Sequence, residues 1–342
     1  MKNLKKLKVK NQNNFFGIVF LFFGISVFSA CSDNQRNKLL LPNITGKPGE
    51  ITVVMNDEWW KSPVGDTLKQ IFEKPYPLLP QSEPSFDVYQ INHEAFTNLF
   101  KRNRNIIQVL VKSYITDPKI TIKDNVWANQ QVLVIIEACN EESLLKLLRL
   151  HGNKIFKTFY DSELKRYARS YIKYTERGIN ARLLQKFRIN IFVPMGFKQR
   201  KDTMNFCWFS NETNETSQGL FVYDYPYTDT SQLQLKSLLK MRDSIFRMHV
   251  QGPLPNTWMI TERLISPIKK VFRQNNSYTI ELRGLWRVKN DYMGGPFISY
   301  SMIDTVQSRI ITTDAYVYAP KFDKRNYIMQ CEAFLSTISI TR

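Results

Sequence analysis

Two adjacent tryptophans lie among acidic residues in the segment NDEWWKSPVG. Trp59 and Trp60 directly follow Asp57 and Glu58. Adjacent residues of a strand face opposite sides of a sheet, so both rings cannot enter one core face, and on a loop at least one ring projects outward. An aromatic ring beside carboxylates is typical of sugar-binding surfaces, because a pyranose presents C–H groups to the ring and hydroxyls to the acids. The alternative is structural: one ring closes the end of a sheet and the other is half-buried.

Glu83 is the acid whose surroundings best fit a catalytic or ligand-binding role. It lies in the proline-rich connection EKPYPLLPQSEP. Proline fixes φ, so the segment is rigid, and a positioned acid requires a rigid support. Hydrolysis of a glycosidic bond needs two carboxyl groups roughly 5–10 Å apart. The sequence offers three acids as the second member of such a pair: Asp57, Glu58 and Asp291. A hydrolase that uses paired carboxylates is therefore an alternative function.

The segment MGGPF is a third candidate site. Gly294 can adopt positive φ, and Gly295 precedes a proline, which favours extended backbone. Together they predict a tight turn between the strand that carries Trp286 and the segment ISYSM. Glycines also let a ligand approach the backbone closely, so Trp286, Gly294 and Gly295 are ligand-binding candidates besides Trp59, Trp60 and Glu83.

No local motif of a known enzyme class occurs in the chain. The three histidines, His93, His151 and His249, are far apart, and the patterns HExxH, GxSxG and GxxxxGK[ST] are absent from the sequence. We therefore predict no catalytic residue, no metal site and no cofactor, and a binding protein is the favoured interpretation over an enzyme.

Cysteines with apolar neighbours occur at three positions besides Cys31, in the segments IIEACN, NFCWF and MQCEAF. They are Cys139, Cys207 and Cys331. An exported chain can form one disulfide from them, and three buried free thiols are the alternative.

The N-terminus changes abruptly from basic to apolar and then to polar residues. Five lysines lie in the first ten residues, and the uncharged run 15–28 follows. That run is shorter than the ~20 residues of a membrane-spanning helix and fits the core of an export signal. The small residues Ser29 and Ala30 and then Cys31 complete a segment that resembles a bacterial lipoprotein signal. The resemblance implies that Cys31 receives a lipid and becomes the first mature residue.

One position departs from the lipoprotein pattern, because Phe28 stands where an aliphatic residue is usual. Cleavage after Ser29 and an uncleaved anchor are the alternatives. The prediction is an exported protein held by lipid at a cell-envelope membrane, on its periplasmic side or at the cell surface.

The chain is strongly basic, with a formal net charge of +18 at pH 7. Its lysines and arginines are scattered outside the N-terminal segment, which is typical of a solvated surface. Docking against an anionic membrane face is the alternative. An export signal excludes nucleic acid as the expected partner. The predicted partners are the membrane, through the lipid on Cys31, and an envelope glycan or protein.

Strand patterns cluster in two blocks around a helical middle region. The strands predicted in the first block are ITVVM (51–55), FDVYQI (86–91), NIIQVLV (105–111) and VLVIIEA (132–138). Helical spacing follows Asn140 up to Gly178, with a break expected at Gly152 or Asp161. The strands predicted in the second block are MNFCWFS (204–210), GLFVYDY (219–225), YTIELRGLWRV (278–288) and VQSRIITTDAYVYA (306–319). Helices are expected at 233–250, in the segment ERLISPIKKVF and at the C-terminus. The fold class is α+β, with mostly antiparallel sheet.

The domain prediction follows from these blocks. Residues 1–30 are the signal peptide, residues 31–48 a polar tether and residues 49–342 a single α+β domain. This domain is expected to have two lobes, 49–139 and 188–342, joined by the helical region 140–187.

Four segments of the chain resemble one bacterial lipoprotein family. They are GEITVVM, LPQSEPSFDV, RGLW (283–286) and MGGPF (293–297). The family is the one catalogued as domain of unknown function 4837, and the resemblance implies an exported, lipid-anchored protein. It implies no activity and no catalytic residue.

Three hypotheses follow. The favoured one is a binding or scaffold module that uses the Trp59–Trp60 loop and the MGGPF turn on one exposed rim. The second is the hydrolase of envelope polymers. The third is a structural protein of envelope assembly without a deep pocket.

Overall fold

Three β-sheets and six α-helices make up residues 41–341, which are the residues that the structure, a computed structural model, describes. The predicted signal peptide, Cys31 and the first ten residues of the predicted tether lie outside the described residues. The helices are α1 (Asp57–Trp60), α2 (Pro63–Phe72), α3 (Glu141–Lys173), α4 (Arg177–Phe187), α5 (Leu235–His249) and α6 (Arg325–Leu335). Within residues 41–341, no helix is long and apolar enough to cross a membrane.

The strands of the first half are β1 (Glu50–Val54), β2 (Asp87–Ile91), β3 (Asn105–Val111), β4 (Lys119–Asp124) and β5 (Val132–Ala138). They form one sheet in the order β2-β1-β3-β5-β4, in which only β4 is antiparallel to its neighbour. Parallel pairing results from the connection of β1 to β2 through α2, because parallel neighbours need a crossover. The apolar side chains of α2 and α3 cover one face of this sheet.

The strands of the second half are β6 (Ile189–Asn190), β7 (Lys198–Thr203), β8 (Phe206–Glu212), β9 (Ser217–Pro226), β10 (Met259–Thr261), β11 (Ile268–Gln274), β12 (Ser277–Val288), β13 (Gly294–Asp304), β14 (Arg309–Tyr318) and β15 (Ser339–Ile340). Eight of them form an antiparallel sheet in the order β10-β12-β13-β14-β9-β8-β7, with β11 also paired to β12. Helix α5 packs on one face of the sheet, and α4 and α6 pack on the other. The predicted α+β class with mostly antiparallel sheet is confirmed.

Helix α3 runs without a break for 33 residues, contrary to the prediction. A Cβ atom on Gly152 would lie 2.6 Å from Ile71 Cδ1, so this glycine lets α2 approach α3 closely instead of ending the helix. The predicted cap at Asn140 is confirmed, since its side chain accepts a hydrogen bond from the Ser143 N–H at 2.9 Å. Gly178 does not stop a helix either, because it lies in the first turn of α4.

The segment ERLISPIKKVF does not form the expected helix, because residues 262–267 are irregular and the remainder begins a strand. Residues 268–274 are the edge strand β11, which pairs with β12 through a two-residue turn at Asn275 and Asn276. Both asparagines have positive φ, 45° and 65°. Two consecutive residues with positive φ characterise the tight turns that match the twist of a hairpin.

A buried polar cluster joins the two halves of the chain. Arg283 Nη2 of β12 lies 2.7 Å from Glu332 Oε1 of α6, and Tyr160 of α3 donates a hydrogen bond to the other oxygen of Glu332. The hydroxyl of Tyr76 lies 3.0 Å from that of Tyr160. Burial raises the pKa of both tyrosines above the ordinary value, so both stay protonated at neutral pH. Residues from Leu41 onward form one compact unit.

Candidate functional site

The candidate site is a cavity of about 280 Å³ at one end of the large sheet, which we call the sheet-end cavity. Its lining includes residues 250–253, which directly follow α5. Its aromatic wall consists of Trp208, Trp286, Tyr316 and Tyr318. These side chains come from β8, β12 and β14, and all four pack with the cluster that α5 covers. Alternation along each strand places them on the same face.

The opposite side of the sheet-end cavity is built from two loops. The turn between β8 and β9 contributes residues 212–217, and the segment after α5 contributes residues 250–253. The sulfur-containing side chains of Met259 and Met293 complete the lining. The cavity therefore has an apolar, aromatic wall that faces a polar rim.

Trp286 is fixed in this wall by its own hydrogen bond. It is 2% exposed, and its Nε1 donates to the backbone oxygen of Val317 at 3.2 Å. Gly295 lies opposite Trp286 in the strand pairing, and a Cβ atom there would lie 2.0 Å from the same Val317 oxygen. The glycine is thus required for the close approach of β13 to the end of β14.

The predicted turn at Gly294 and Gly295 is wrong. Both residues begin β13, and neither has positive φ. The turn lies earlier, where Asn290 has a φ of 61° and the Val288 N–H donates to the oxygen of Met293 at 2.8 Å. Gly294 allows close strand pairing instead, since a Cβ atom there would lie 2.8 Å from the oxygen of Trp286.

The polar atoms of Trp208 and Tyr316 in the aromatic wall differ in their hydrogen bonding. Nε1 of Trp208 is buried and makes no hydrogen bond of full geometry among residues 41–341, although it faces the Tyr316 hydroxyl closely enough to lower the pKa of that group. A buried donor without a partner costs ~1–3 kcal/mol, so it marks a place where a ligand acceptor would fit. The Tyr316 hydroxyl lies 3.3 Å from the Ser217 hydroxyl, and burial raises the pKa of Tyr316 to about 12. This hydroxyl is therefore a neutral group at pH 7.

Two carboxylates lie on the rim of the sheet-end cavity, and each is paired with a cation. Arg200 Nη2 lies 2.6 Å from Glu212 Oε2, and Lys321 Nζ lies 3.0 Å from Glu215 Oε1. The rim is polar but locally neutralised, which favours an uncharged ligand over a strongly charged one.

Trp59 and Trp60 lie at a different place. They belong to α1 and pack half-buried against the first sheet. Trp59 lines a cavity of about 230 Å³ together with Asn56, His93 and the end of β3. This is the carboxyl end of the parallel strands, where the connections of β1 and β3 lead in opposite directions, and ligands of open sheets bind at such points. The predicted single rim is therefore not formed: Trp59 lines this second cavity, whereas Met293 of the MGGPF segment lines the sheet-end cavity.

Glu83 has a structural role instead of the predicted ligand contact. It is 6% exposed, and its two oxygens accept hydrogen bonds from the backbone N–H groups of Lys324 and Arg325 at 2.7–2.9 Å. These N–H groups begin α6 and have no intrahelical acceptor, so Glu83 caps this helix from a distant part of the chain.

The acids considered as partners of Glu83 are engaged elsewhere. Asp57 Oδ1 accepts a hydrogen bond from Gln90 Nε2 at 3.0 Å, and Asp291 Oδ1 accepts one from the Tyr292 N–H at 2.6 Å. Neither these two nor Glu58 lines a cavity with Glu83. Within residues 41–341 no group of three metal-ligating side chains occurs.

The three cysteines of the described chain are free thiols. Cys207 and Cys331 are buried and Cys139 is half-buried. Burial raises the pKa of Cys207 to about 11 and raises that of Cys331 further, so both are unreactive thiols at neutral pH.

Of the residues that line the sheet-end cavity, Trp286 was identified from the sequence but Trp208, Tyr316 and Tyr318 were not. Gly294 and Gly295, which were also candidates, do not belong to the lining. The signal for the three missed aromatic residues was present, since aromatic residues alternate in NFCWF and in AYVY at strand spacing. Which strands meet at one end of a sheet depends on pairing order, and the sequence patterns do not supply that order.

Residues 176–337 match a family described as a domain of unknown function, DUF4837, and residues 44–172 match a second, described as domain of unknown function DUF8532. No curated protein matches the chain. Among solved structures, the Saccharomyces cerevisiae Ran-binding protein Mog1p is 11% identical, with a TM-score of 0.31 over 45% of this chain and 90% of that one. LpqN of Mycobacterium tuberculosis, described as involved in cell envelope biogenesis, is 10% identical, with a TM-score of 0.28 over 45% and 83% of the two chains. Similarity at this level carries no functional argument.

The family match includes two of the four segments that carried the sequence resemblance. RGLW and MGGPF lie within residues 176–337, whereas GEITVVM and LPQSEPSFDV lie within the DUF8532 match. Three residues of the aromatic wall lie within residues 176–337, namely Trp208, Trp286 and Tyr316. Residues 176–337, and with them the sheet-end cavity, therefore belong to the family described as domain of unknown function DUF4837.

Proposed function

We propose that this protein is a lipid-anchored binding protein of the cell envelope, and that its sheet-end cavity takes one sugar ring of an envelope glycan. The observation that carries the proposal is the aromatic wall of Trp208, Trp286 and Tyr316 opposite the polar 212–217 turn. A pyranose has the same two-sided character, with C–H groups on its faces and hydroxyls around its edge.

The size and hydrogen bonding of the cavity agree with a small uncharged ring. Its volume of about 280 Å³ is just below the range of small-molecule pockets, which run from ~300 to ~1,000 Å³. Nε1 of Trp208 makes no hydrogen bond of full geometry within the described residues, so it can donate to a ring or hydroxyl oxygen. The side chains of Thr213, Asn214 and Gln251 supply further polar groups at the rim.

The anchor part of the proposal rests on Cys31. Each buried methylene of an acyl chain contributes ~0.8 kcal/mol, and two chains give stable attachment where one does not. A lipid on Cys31 holds the body at a membrane while residues 41–341 carry the binding site. The proposal contains no catalytic step, because Glu83 caps α6 and the rim carboxylates are paired.

The test is titration calorimetry of the protein with a panel of neutral mono- and disaccharides that occur in envelope glycans. We expect at least one sugar to bind, and Trp208→Phe to weaken its binding roughly tenfold, because one hydrogen bond and part of the ring contact are lost. The matched control is Trp60→Phe, which lies outside the cavity and leaves the affinity unchanged. If no sugar binds the wild-type protein, the glycan assignment is wrong.

A further inference from the structure

The first described residues of the chain are held against a basic turn. Arg102 Nη2 donates a hydrogen bond to the Asn43 oxygen at 3.2 Å, and the Thr45 N–H donates to the Arg102 oxygen at 2.9 Å. The Asn129 N–H donates to the Pro42 oxygen at 2.8 Å. Residues 42–45, which the sequence assigned to the tether, are therefore paired with the body of the protein.

The turn beside this point combines an exposed apolar side chain with cations. Leu99 is 71% exposed, and it precedes Lys101 and Arg102 at the short 3-10 turn Phe100–Arg102. Lys101 and Arg102 are the cations of this turn. The next cation, Arg104, lies 3.1 Å from the buried Glu163, and the nearest acid along the chain is Glu94. An apolar side chain among cations is the composition of surfaces that lie in the head-group region of anionic membranes.

A second pair of cations lies on the other side of the entry point. Lys165 and Arg169 of α3 are exposed, and they line a polar cavity with Gln130, the neighbour of Asn129. Two acids, Asp124 and Asp161, line the same cavity, so this side is less strongly basic than the Leu99 turn.

Chain length places this surface near any anchor at Cys31. Leu41 is ten positions after Cys31. A fully extended chain spans at most roughly 3.6 Å per residue, which limits the separation to about 36 Å. An anchored Cys31 therefore confines the entry point to the neighbourhood of the bilayer.

We propose that the surface formed by Leu99, Lys101, Arg102, Lys165 and Arg169 lies against an anionic phospholipid bilayer. The proposal rests on the lipid anchor of the proposed function. Charge complementarity and the short chain to Cys31 identify the bilayer as the occupant. Contact there orients the body and gives the acyl chains a second, electrostatic attachment, which is the combination that stable anchoring uses.

The test is hydrogen exchange of the full-length protein as purified from its cells. One sample contains vesicles of phosphatidylcholine alone, and the other contains vesicles of phosphatidylcholine mixed with the anionic lipid phosphatidylglycerol. We expect the amides of residues 97–103 to exchange roughly fivefold more slowly on the anionic vesicles, since one cation at an anionic surface is worth about that factor. The protection disappears in 1 M salt, where the Debye length is about 3 Å.

The variant Leu99→Ser with Lys101→Gln is expected to lose this protection. The matched control, Leu264→Ser with Lys270→Gln, changes an even more exposed leucine and a lysine in the second half of the chain, and it is expected to keep the protection. Equal exchange of residues 97–103 on both vesicle types overturns the proposal. The intact mass of the same sample reports separately whether Cys31 carries a lipid, so a failure of the anchor is distinguished from a failure of the surface.

Discussion

The carboxylate of Glu83 accepts a hydrogen bond at 2.7 Å from the backbone N–H of Arg325, 242 residues further along the chain. A loop of the first half of the protein thereby caps α6 in the second half. The side chain of Arg325 returns to the same loop, since its Nη1 donates to the oxygen of Pro84 at 2.9 Å and its Nη2 lies 2.7 Å from Asp87 Oδ2. The rigid proline-rich segment is thus part of the joint between the halves.

Replacement of Glu83 by Gln is expected to lower the free energy of unfolding by about 1–3 kcal/mol, because charge-assisted hydrogen bonds to buried backbone N–H groups are lost. Chemical denaturation measures the change. Glu94→Gln, at an exposed position of the first half, is the control and is expected to stay within ~0.5 kcal/mol of the wild type. Equal effects of the two substitutions would contradict the capping role.

Gly295→Ala is expected to destabilise the protein by about 2 kcal/mol or more, because the added Cβ atom overlaps the Val317 oxygen and the strand must move. Gly178→Ala is the matched control. A Cβ atom at Gly178 meets nothing within 4 Å, and alanine in a helix is favoured over glycine by ~0.5–1 kcal/mol. Thermal unfolding separates the two variants, and a stable Gly295→Ala protein would show that β13 does not need this close approach.

The two cavity tryptophans are expected to differ in their contribution to stability. Trp286→Phe leaves the Val317 oxygen without its buried donor and costs about 1–3 kcal/mol. Trp208→Phe removes a donor that makes no hydrogen bond of full geometry among the described residues and only faces the Tyr316 hydroxyl, so the free energy of unfolding changes by less than about 1 kcal/mol. Denaturant unfolding of both variants tests this order, and the reverse order would mean that Trp208 is a structural residue.

The lowered pKa of Asp202 predicts that the stability of the protein depends on pH. Partial burial acts to raise its pKa, but hydrogen bonds from Arg182 and Lys186 outweigh burial and lower the pKa to about 2. The folded carboxylate therefore stays ionised at pH values where the unfolded one takes up a proton. Its contribution is complete above pH 4 and is lost as the pH falls toward 2.

The measurement is the difference in free energy of unfolding between the wild type and Asp202→Asn as a function of pH. We expect this difference to be constant from pH 7 to about pH 4 and to shrink between about pH 4 and pH 2. A difference that is the same at pH 7 and pH 2 would contradict the ion pairing of Asp202.

The fold class could be predicted from sequence because the strands alternate clearly. The segments 278–288 and 306–319 appear as β12 and β14, and the core helix at 233–250 appears as α5. The errors came from residues whose role depends on a distant neighbour. Gly152 was expected to break the helix, but its role is to make room for Ile71 of α2. A helix was also expected for residues 262–272, part of which pairs with β12 as the edge strand β11.

The candidate site could be predicted only in part for the same reason. Trp286 was identified from local sequence, yet the function of its neighbour Gly295 depends on the oxygen of Val317 in another strand. Glu83 was expected in a rigid proline-rich segment, but its role as an acceptor for α6 depends on a helix 242 residues away. These roles depend on contacts between residues that are distant in the sequence, and the pattern of a single sequence does not show which strands and helices meet.

The indole N–H signals of the tryptophans test the central proposal most directly. The chain has six tryptophans, and 15N labelling gives each a separate indole signal in an NMR spectrum. On titration with the sugar that binds best, we predict that the Trp208 signal moves downfield as its N–H gains an acceptor, while the signals of Trp59, Trp60 and Trp127 stay in place. A titration that shifts Trp59 or Trp60 and leaves Trp208 unchanged would contradict the assignment of the sheet-end cavity as the binding site.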